Sequence, residues 1–227
     1  MDTPPPPESE PPAPASNLKP TRVWDLPTRL FHWTLVACVL GALVTGSQGG
    51  DAMVGHLRFG QMLLALLAFR LVWAVVGGHW SRWTHFQWWP RRGSPAGHAF
   101  PGSWSVLAIL AVLSLQVATG LVADDEIATT GPLSALAPEA WVRWATAWHK
   151  GLGEAAVWTL IGLHLSAIAW YVARGRSLIE PMVSGDRLLP PGEVPARDGR
   201  AQRLGAFVVV AATLALAVWV FRFGAVA

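Results

Sequence analysis

Five long runs without charge dominate this chain of 227 residues. Residues 30–50, 93–123, 155–173 and 204–221 contain no Asp, Glu, Lys or Arg, and residues 56–77 contain only two arginines. A helix needs about 20 mostly apolar residues to cross the hydrocarbon core of a bilayer. Charged residues make up only 14% of the chain, whereas an average soluble protein carries about 25%. The sequence therefore predicts an all-α membrane protein and excludes a soluble globular domain, a coiled coil and a disordered protein.

The predicted organisation is a helical membrane domain between a tail and a linker. The tail, residues 1–21, is rich in proline, lacks the basic start and apolar core of a signal peptide, and is expected to be disordered. The domain covers residues 22–187, residues 188–203 form a linker, and an extra transmembrane helix occupies residues 204–222. The predicted spans are 29–46, 56–77, 103–123, 148–173 and 204–222.

The basic residues predict the orientation. Twelve Lys and Arg residues lie in residues 1–29 and in the loops 78–102 and 174–203, whereas four lie on the opposite side and Arg70 lies inside a span. Cytoplasmic loops of membrane proteins carry an excess of Lys and Arg. We therefore expect a cytoplasmic N-terminus and a C-terminus on the outer side of the membrane. The pI near 9.7 reflects this asymmetry and not a nucleic-acid partner.

The single cysteine, Cys38, limits the cofactor chemistry. A disulfide within the chain and a cysteine cluster for zinc or iron–sulfur are both excluded. The chain also contains no C-x-x-C-H motif. Any haem in this protein must therefore be held without thioether bonds.

Four histidines lie in or at the ends of the predicted spans and pair by depth. His32 and His164 share the cytoplasmic level, and His56 and His149 share the outer level. His149 and His164 are fifteen residues apart, which is about 22 Å along an ideal helix. Each pair joins the fourth predicted span to another span. Two neutral imidazoles on facing helices fill both axial positions of one haem iron and leave no open position for oxygen chemistry. The pattern predicts two non-covalent b haems.

Two other interpretations of these histidines stay open from the residues alone. Single membrane histidines often form hydrogen bonds between helices, although four that pair by depth favour ligation. The same side chains also suit a metal-dependent membrane enzyme or transporter. Such sites gather three or more ligands, often carboxylates, around one metal, and no Asp or Glu lies deep in any span.

Four basic residues are candidates to bind the haem propionates, because a membrane arginine needs an anionic partner. Arg70 lies about 21 Å inward from His56, and Arg29 lies one turn before His32, where it also suits lipid phosphate. Arg58 and Lys150 lie beside the outer histidines.

Several stretches resemble the bacterial cytochrome b561 family, which includes the b-type cytochrome subunits of nickel–iron hydrogenases. They are VWDLPTRLFHW (23–33), HLRFGQMLLALLAFRLVWAVVG (56–77), GHAFPGSWSVLAILAVLSLQVATGLVADD (97–125), HKGLGEAAVWTLIGLHL (149–165) and MVSGDR (182–187). The resemblance implies a four-helix transmembrane diheme bundle with His32, His56, His149 and His164 as haem ligands. It also implies electron transfer between the quinone pool and a partner redox protein. The fifth apolar run has no counterpart in this core, and we expect a peripheral packing or docking helix.

The partner is not determined by the sequence. A c-type cytochrome and a dehydrogenase or hydrogenase subunit both suit the resemblance. The acidic residues 124–126 on the outer side are suited to guide a basic cytochrome, but they also suit a simple solvated loop. A membrane anchor for a catalytic subunit is a further alternative, and it does not require histidines paired at two depths.

Overall fold

The computed structural model describes residues 18–90, 97–98, 100–125 and 127–224. In chain order the elements are β1 (Lys19–Arg22), α1 (Leu26–Gln48), α2 (Met53–Val76), α3 (Phe100–Gly120), α4 (Glu139–Lys150), α5 (Leu152–Ala173), α6 (Ile179–Ser184), β2 (Asp186–Leu189) and α7 (Arg200–Gly224). Single turns of 3₁₀ helix occupy Gly50–Ala52, His79–Ser81, Trp83–His85 and Ser134–Leu136.

Five segments of the described chain are long and apolar enough to cross a membrane. They are Leu26–Gln48, Gly50–Val76, Phe100–Gly120, Glu139–Ala173 and Arg200–Phe223. This finding confirms the predicted all-α membrane protein with a helical bundle and a fifth C-terminal helix.

The fourth predicted span, 148–173, differs from the structure because it is two helices. Gly151 separates α4 from α5, with backbone angles (φ −114°, ψ −103°) that belong to neither helix. The preceding α4 is amphipathic: Trp141 and Trp144 are exposed, whereas Ala145 is buried. Its charged residues interrupt the apolar run, so the hydropathy pattern alone places the start of this segment too late.

The first two helices form the base of the bundle. α1 begins at Leu26, with Pro27 in its first turn, and its capping residue is Asp25, whose carboxylate accepts a hydrogen bond from the Thr28 N–H at 2.9 Å. It ends at Gly49, which has a φ of 64°, a value that glycine adopts readily. The chain then reverses through the 3₁₀ turn, and α2 packs along α1.

The remaining spans pack against α2 or α3. α3 lies against α2, and α5 lies mainly against α3 and α4. The fifth spanning helix, α7, packs closely on α2, and its residues Ala206, Thr213 and Ala217 are buried there. This helix is therefore an integral part of the bundle.

A two-stranded β-ribbon closes the end of the bundle at which α1 begins. β1 pairs antiparallel with β2, from Lys19 opposite Leu189 to Arg22 opposite Asp186. Residues 19–21, which the sequence assigned to the disordered tail, are thus strand, and β2 extends into the predicted linker 188–203. Strand pairing joins segments far apart in the chain, so local composition does not reveal it. The first 17 residues of the predicted tail lie outside the described residues.

Candidate haem-binding site

The outer pair consists of His56 in α2 and His149 in α4. Their ring centroids are 5.9 Å apart, and their planes are nearly perpendicular at 85°. His56 Nδ1 lies 2.8 Å from the Ala42 carbonyl oxygen, and His149 Nδ1 lies 2.9 Å from that of Gln116. Both rings are therefore held by backbone groups of neighbouring helices.

These contacts determine the tautomer of both rings. A carbonyl oxygen only accepts hydrogen bonds, so Nδ1 of each histidine carries the proton. Nε2 is then the unprotonated nitrogen with a lone pair for a metal. Histidines that bind metals commonly donate the other ring N–H to a carbonyl in this way. The outer pair is thus prepared for ligation through Nε2.

The inner pair consists of one histidine in α1 and one in α5. His32 and His164 have ring centroids 6.4 Å apart and planes inclined at 53°. Both rings are partly buried. The structure therefore brings together the same two pairs that depth predicts, one near each end of the bundle.

The ring separations fit one iron between each pair. A metal–nitrogen bond of about 2 Å places the metal about 3 Å from the centroid of a ligating imidazole. Two imidazoles that bind one metal from opposite sides therefore have ring centroids about 6 Å apart. The observed separations of 5.9 and 6.4 Å match this value. Direct stacking of the two rings would not require this separation.

Glycines allow the outer rings to approach the backbone. A Cβ atom on Gly120 would lie 2.7 Å from His149 Cε1, and one on Gly46 would lie 3.0 Å from His56 Nδ1. In contrast, Cβ atoms on Gly60 and Gly162 would have no neighbour within 4 Å. These two glycines leave open space on helices that carry a ligand, as a flat macrocycle requires.

Comparison with known proteins identifies the family of the chain. The sequence profile of the prokaryotic cytochrome b561 family matches residues 23–185, which is more than two thirds of the chain. The chain belongs to this family. No curated protein and no solved structure matches the chain. The resemblance seen in the sequence is confirmed, and the protein is a bacterial membrane cytochrome of the b type that functions in electron transfer.

The four predicted propionate partners of the cytochrome differ in their surroundings. Arg58 and Lys150 are exposed next to the outer histidines. Arg29 donates from Nη1 to the Val183 carbonyl oxygen, and its buried Nε has no partner among the described residues. Arg70 is only 3% exposed and donates to the Ser81 carbonyl oxygen at 3.1 Å.

The anionic neighbour of Arg70 in the structure is Asp25, a residue that the sequence reasoning missed. Asp25 is fully buried, and besides capping α1 it accepts hydrogen bonds from the Gly78 N–H at 3.0 Å and from Trp73 Nε1 at 3.3 Å. The D-x-P pattern at residues 25–27 is a helix-start signal. Nothing in that pattern reveals the contacts with the end of α2.

Gln116 in α3 is a second residue that the sequence reasoning missed. Its backbone oxygen accepts from His149 Nδ1, and its side-chain Nε2 donates to the His149 backbone oxygen at 2.8 Å. The signal was available, because a polar amide inside a span is costly and calls for a partner.

The remaining histidines lie at the end of the cytochrome at which α1 begins. His79 and His85 are partly exposed and have ring centroids 3.6 Å apart. The His98 ring packs on Trp24 and Phe86, with centroids 4.7 and 4.5 Å away. Burial and the charge of Arg70 lower the pKa of His98 to about 3. His98 is therefore neutral at physiological pH.

A site for a catalytic metal is not found in the described part of the cytochrome. Among these residues no three His, Cys, Asp or Glu side chains come together as a metal site. The histidines meet in twos, as the two axial positions of a haem require.

Proposed function

We propose that this cytochrome carries two b haems and transfers electrons across the bacterial inner membrane, between the quinone pool and a partner redox protein of the respiratory chain. The observation that carries the proposal is the pair of histidine sites. Each joins two helices, and each has the ring spacing of two imidazoles on one iron.

The histidines hold and orient the cofactors. His32 and His164 are the ligands of the inner haem, and His56 and His149 are those of the outer haem. When bound, each haem supplies an iron that accepts and releases one electron. Two histidine ligands for each haem would leave no position open for oxygen, so the haems would supply electron transfer.

The basic residues are assigned to the haem propionates. Arg29, with its unpartnered buried Nε, serves the inner haem, and exposed Arg58 and Lys150 serve the outer one. Arg70 already faces Asp25 and Ser81. Its contribution to the inner haem is therefore a positive field, with any propionate contact made through its remaining donors.

The distribution of Lys and Arg supports an orientation with the N-terminus in the cytoplasm and the C-terminus in the periplasm. In that orientation the inner pair lies near the cytoplasmic face and the outer pair near the periplasmic face. Electrons then cross most of the membrane thickness between the two sites.

The electron donors and acceptors are a quinone/quinol couple and a soluble or membrane-bound redox partner. A quinol releases two electrons and two protons as it becomes a quinone, so two one-electron sites suit it. The partner is a c-type cytochrome or a dehydrogenase or hydrogenase subunit. Asp125 supports a basic partner on the outer side, because hydrogen bonds from the backbone N–H groups of Thr129, Ile127 and Ala128 lower its pKa to about 2.

Haem content tests the proposal. The full-length protein is purified in detergent, and a pyridine haemochrome assay is combined with oxidised and reduced spectra. Two b haems per chain with a six-coordinate low-spin spectrum are expected, together with reduction by a short-chain quinol. One haem per chain contradicts the diheme assignment. A haem-free protein overturns the proposal as a whole.

A further inference from the structure

Gln116 forms two hydrogen bonds with His149. Its backbone oxygen accepts a hydrogen bond from the ring Nδ1–H at 2.9 Å, and its side-chain amide donates one to the His149 backbone oxygen at 2.8 Å. The two residues are on different helices, α3 and α4. The same residue of α3 thus fixes both the ring and the backbone of one candidate ligand.

The side-chain contact has a clear structural cause. α4 ends at Lys150 because the chain breaks its helical course at Gly151. The last carbonyl groups of a helix lack partners within that helix. The amide of Gln116 supplies the partner for the His149 carbonyl, so it stabilises the break directly beside the ring.

The amide of Gln116 lies in a tight space beside Gly153. Gln116 Oε1 and Trp148 Nε1 are both buried and without a hydrogen bond in the described chain. An added Cβ on Gly153 would be 2.1 Å from Oε1 and 2.6 Å from Nε1. The NH₂ group is the part of the amide that suits the His149 carbonyl, because a carbonyl oxygen only accepts hydrogen bonds.

We propose that Gln116 is a positioning residue that sets the plane of the His149 imidazole and thereby the electronic properties of the outer haem. The inference rests on the proposed function, in which His149 is an axial ligand. The inference goes beyond the proposed function because it assigns the orientation of the His149 ring to Gln116 in α3, which is not itself a haem ligand.

The two haems are then distinguishable by spectroscopy. The rings of the outer pair are inclined at 85° and those of the inner pair at 53°. Near-perpendicular axial imidazoles make two iron d orbitals almost equal in energy, which gives a strongly anisotropic low-spin electron paramagnetic resonance signal. The outer haem is expected to give the more anisotropic signal of the two.

The decisive variant is Gln116→Leu, which removes the amide and keeps the backbone acceptor. We expect both haems to be retained, the more anisotropic signal to shift or disappear, and the midpoint potential of that haem to change, while the inner haem is unaffected. Gln202→Leu, the same change near the start of α7, is the matched control and is expected to change neither signal. An unaltered outer signal and potential in Gln116→Leu overturn the proposal.

Two further measurements decide the inference if Gln116→Leu does not fold or if the native protein holds no haem. If Gln116→Leu does not fold, Gln116→Met removes the amide donor and keeps the length of the side chain, with Gln202→Met as the matched control. The outer signal must again change alone. If the native protein holds no haem, the proposed function fails first. The positioning of the ring is then decided by ¹⁵N magnetic resonance of His149: a change in the ring ¹⁵N shifts in Gln116→Leu but not in Gln202→Leu supports it, and unchanged ring shifts in Gln116→Leu overturn it.

Discussion

The imidazole rings of His32 and His164 lie with their centroids 6.4 Å apart. These residues come from α1 and α5, whose main packing partners are different helices. The gap between the rings has the width that one iron with two axial imidazoles occupies. The same relationship recurs between His56 and His149 at the other end of the bundle.

Removal of one histidine from each pair is expected to remove one haem. His32→Ala leaves His164 without its opposite ligand, and His56→Ala does the same to His149. The pyridine haemochrome assay should fall from two haems per chain to one in each variant. His79→Ala, a change in a histidine outside the two pairs, serves as the control and should keep both haems. Full haem content in His32→Ala contradicts the assignment of the inner pair.

Asp25→Asn is expected to destabilise the bundle strongly. The carboxylate is fully buried, accepts three hydrogen bonds and interacts electrostatically with the buried Arg70. Loss of its charge leaves that arginine uncompensated, and we expect a loss of about 3 kcal/mol. Thermal unfolding of the purified protein in detergent measures the effect.

The control for this change is Asp186→Asn. The Asp186 side chain is 40% exposed and pairs with Arg22, so its loss is expected to cost less than about 1 kcal/mol. Equal changes in Tm for the two variants would show that burial of Asp25 does not have the effect stated here.

The spans and the histidine pairs were predictable because both follow from local quantities. Hydropathy locates a membrane helix, and the rise per residue gives the depth of each histidine. The sequence placed His56 and His149 at one level, and the structure brings their rings together. The membrane supplies the common frame that makes such depths comparable between helices.

The helix break at Gly151 and the hydrogen bonds between Gln116 and His149 were not predictable in this way. α4 carries Glu139 and Arg143 among its tryptophans, so its hydropathy resembles that of a loop. The contact of Gln116 with His149 depends on the rotation of α3 against α4. Hydropathy does not fix that rotation. Asp25 was missed for a similar reason, because its partners at Trp73 and Gly78 lie at the end of another helix.

The stability of the protein is expected to depend on pH through His98. Its pKa in the folded protein is about 3, below the ordinary value of 6.5, because of burial and the charge of Arg70. Between these values the unfolded chain binds a proton that the folded protein does not. The stabilising contribution is therefore complete above about pH 6.5 and is lost as the pH falls towards 3.

The variant His98→Phe isolates this effect, because phenylalanine keeps a ring against Trp24 and Phe86 but does not titrate. Acidic side chains contribute to acid sensitivity in both proteins, so the difference in Tm between them reports His98 alone. The native protein should lose stability relative to His98→Phe as the pH is lowered from 7 to about 5. Parallel Tm curves for the two proteins would rule out a buried neutral histidine.

The variant Ala217→Leu tests how tightly the fifth spanning helix, α7, packs against α2. Ala217 is 1% exposed, on a helix that packs against α2. A larger side chain in a closely packed contact typically costs about 1–3 kcal/mol. The exposed Ala212 in the same helix provides the control variant Ala212→Leu, which should leave the Tm nearly unchanged. Because α7 carries no histidine, both variants should retain the haem content of the native protein. A Tm unaffected by Ala217→Leu would mean that α7 is only loosely attached to α2.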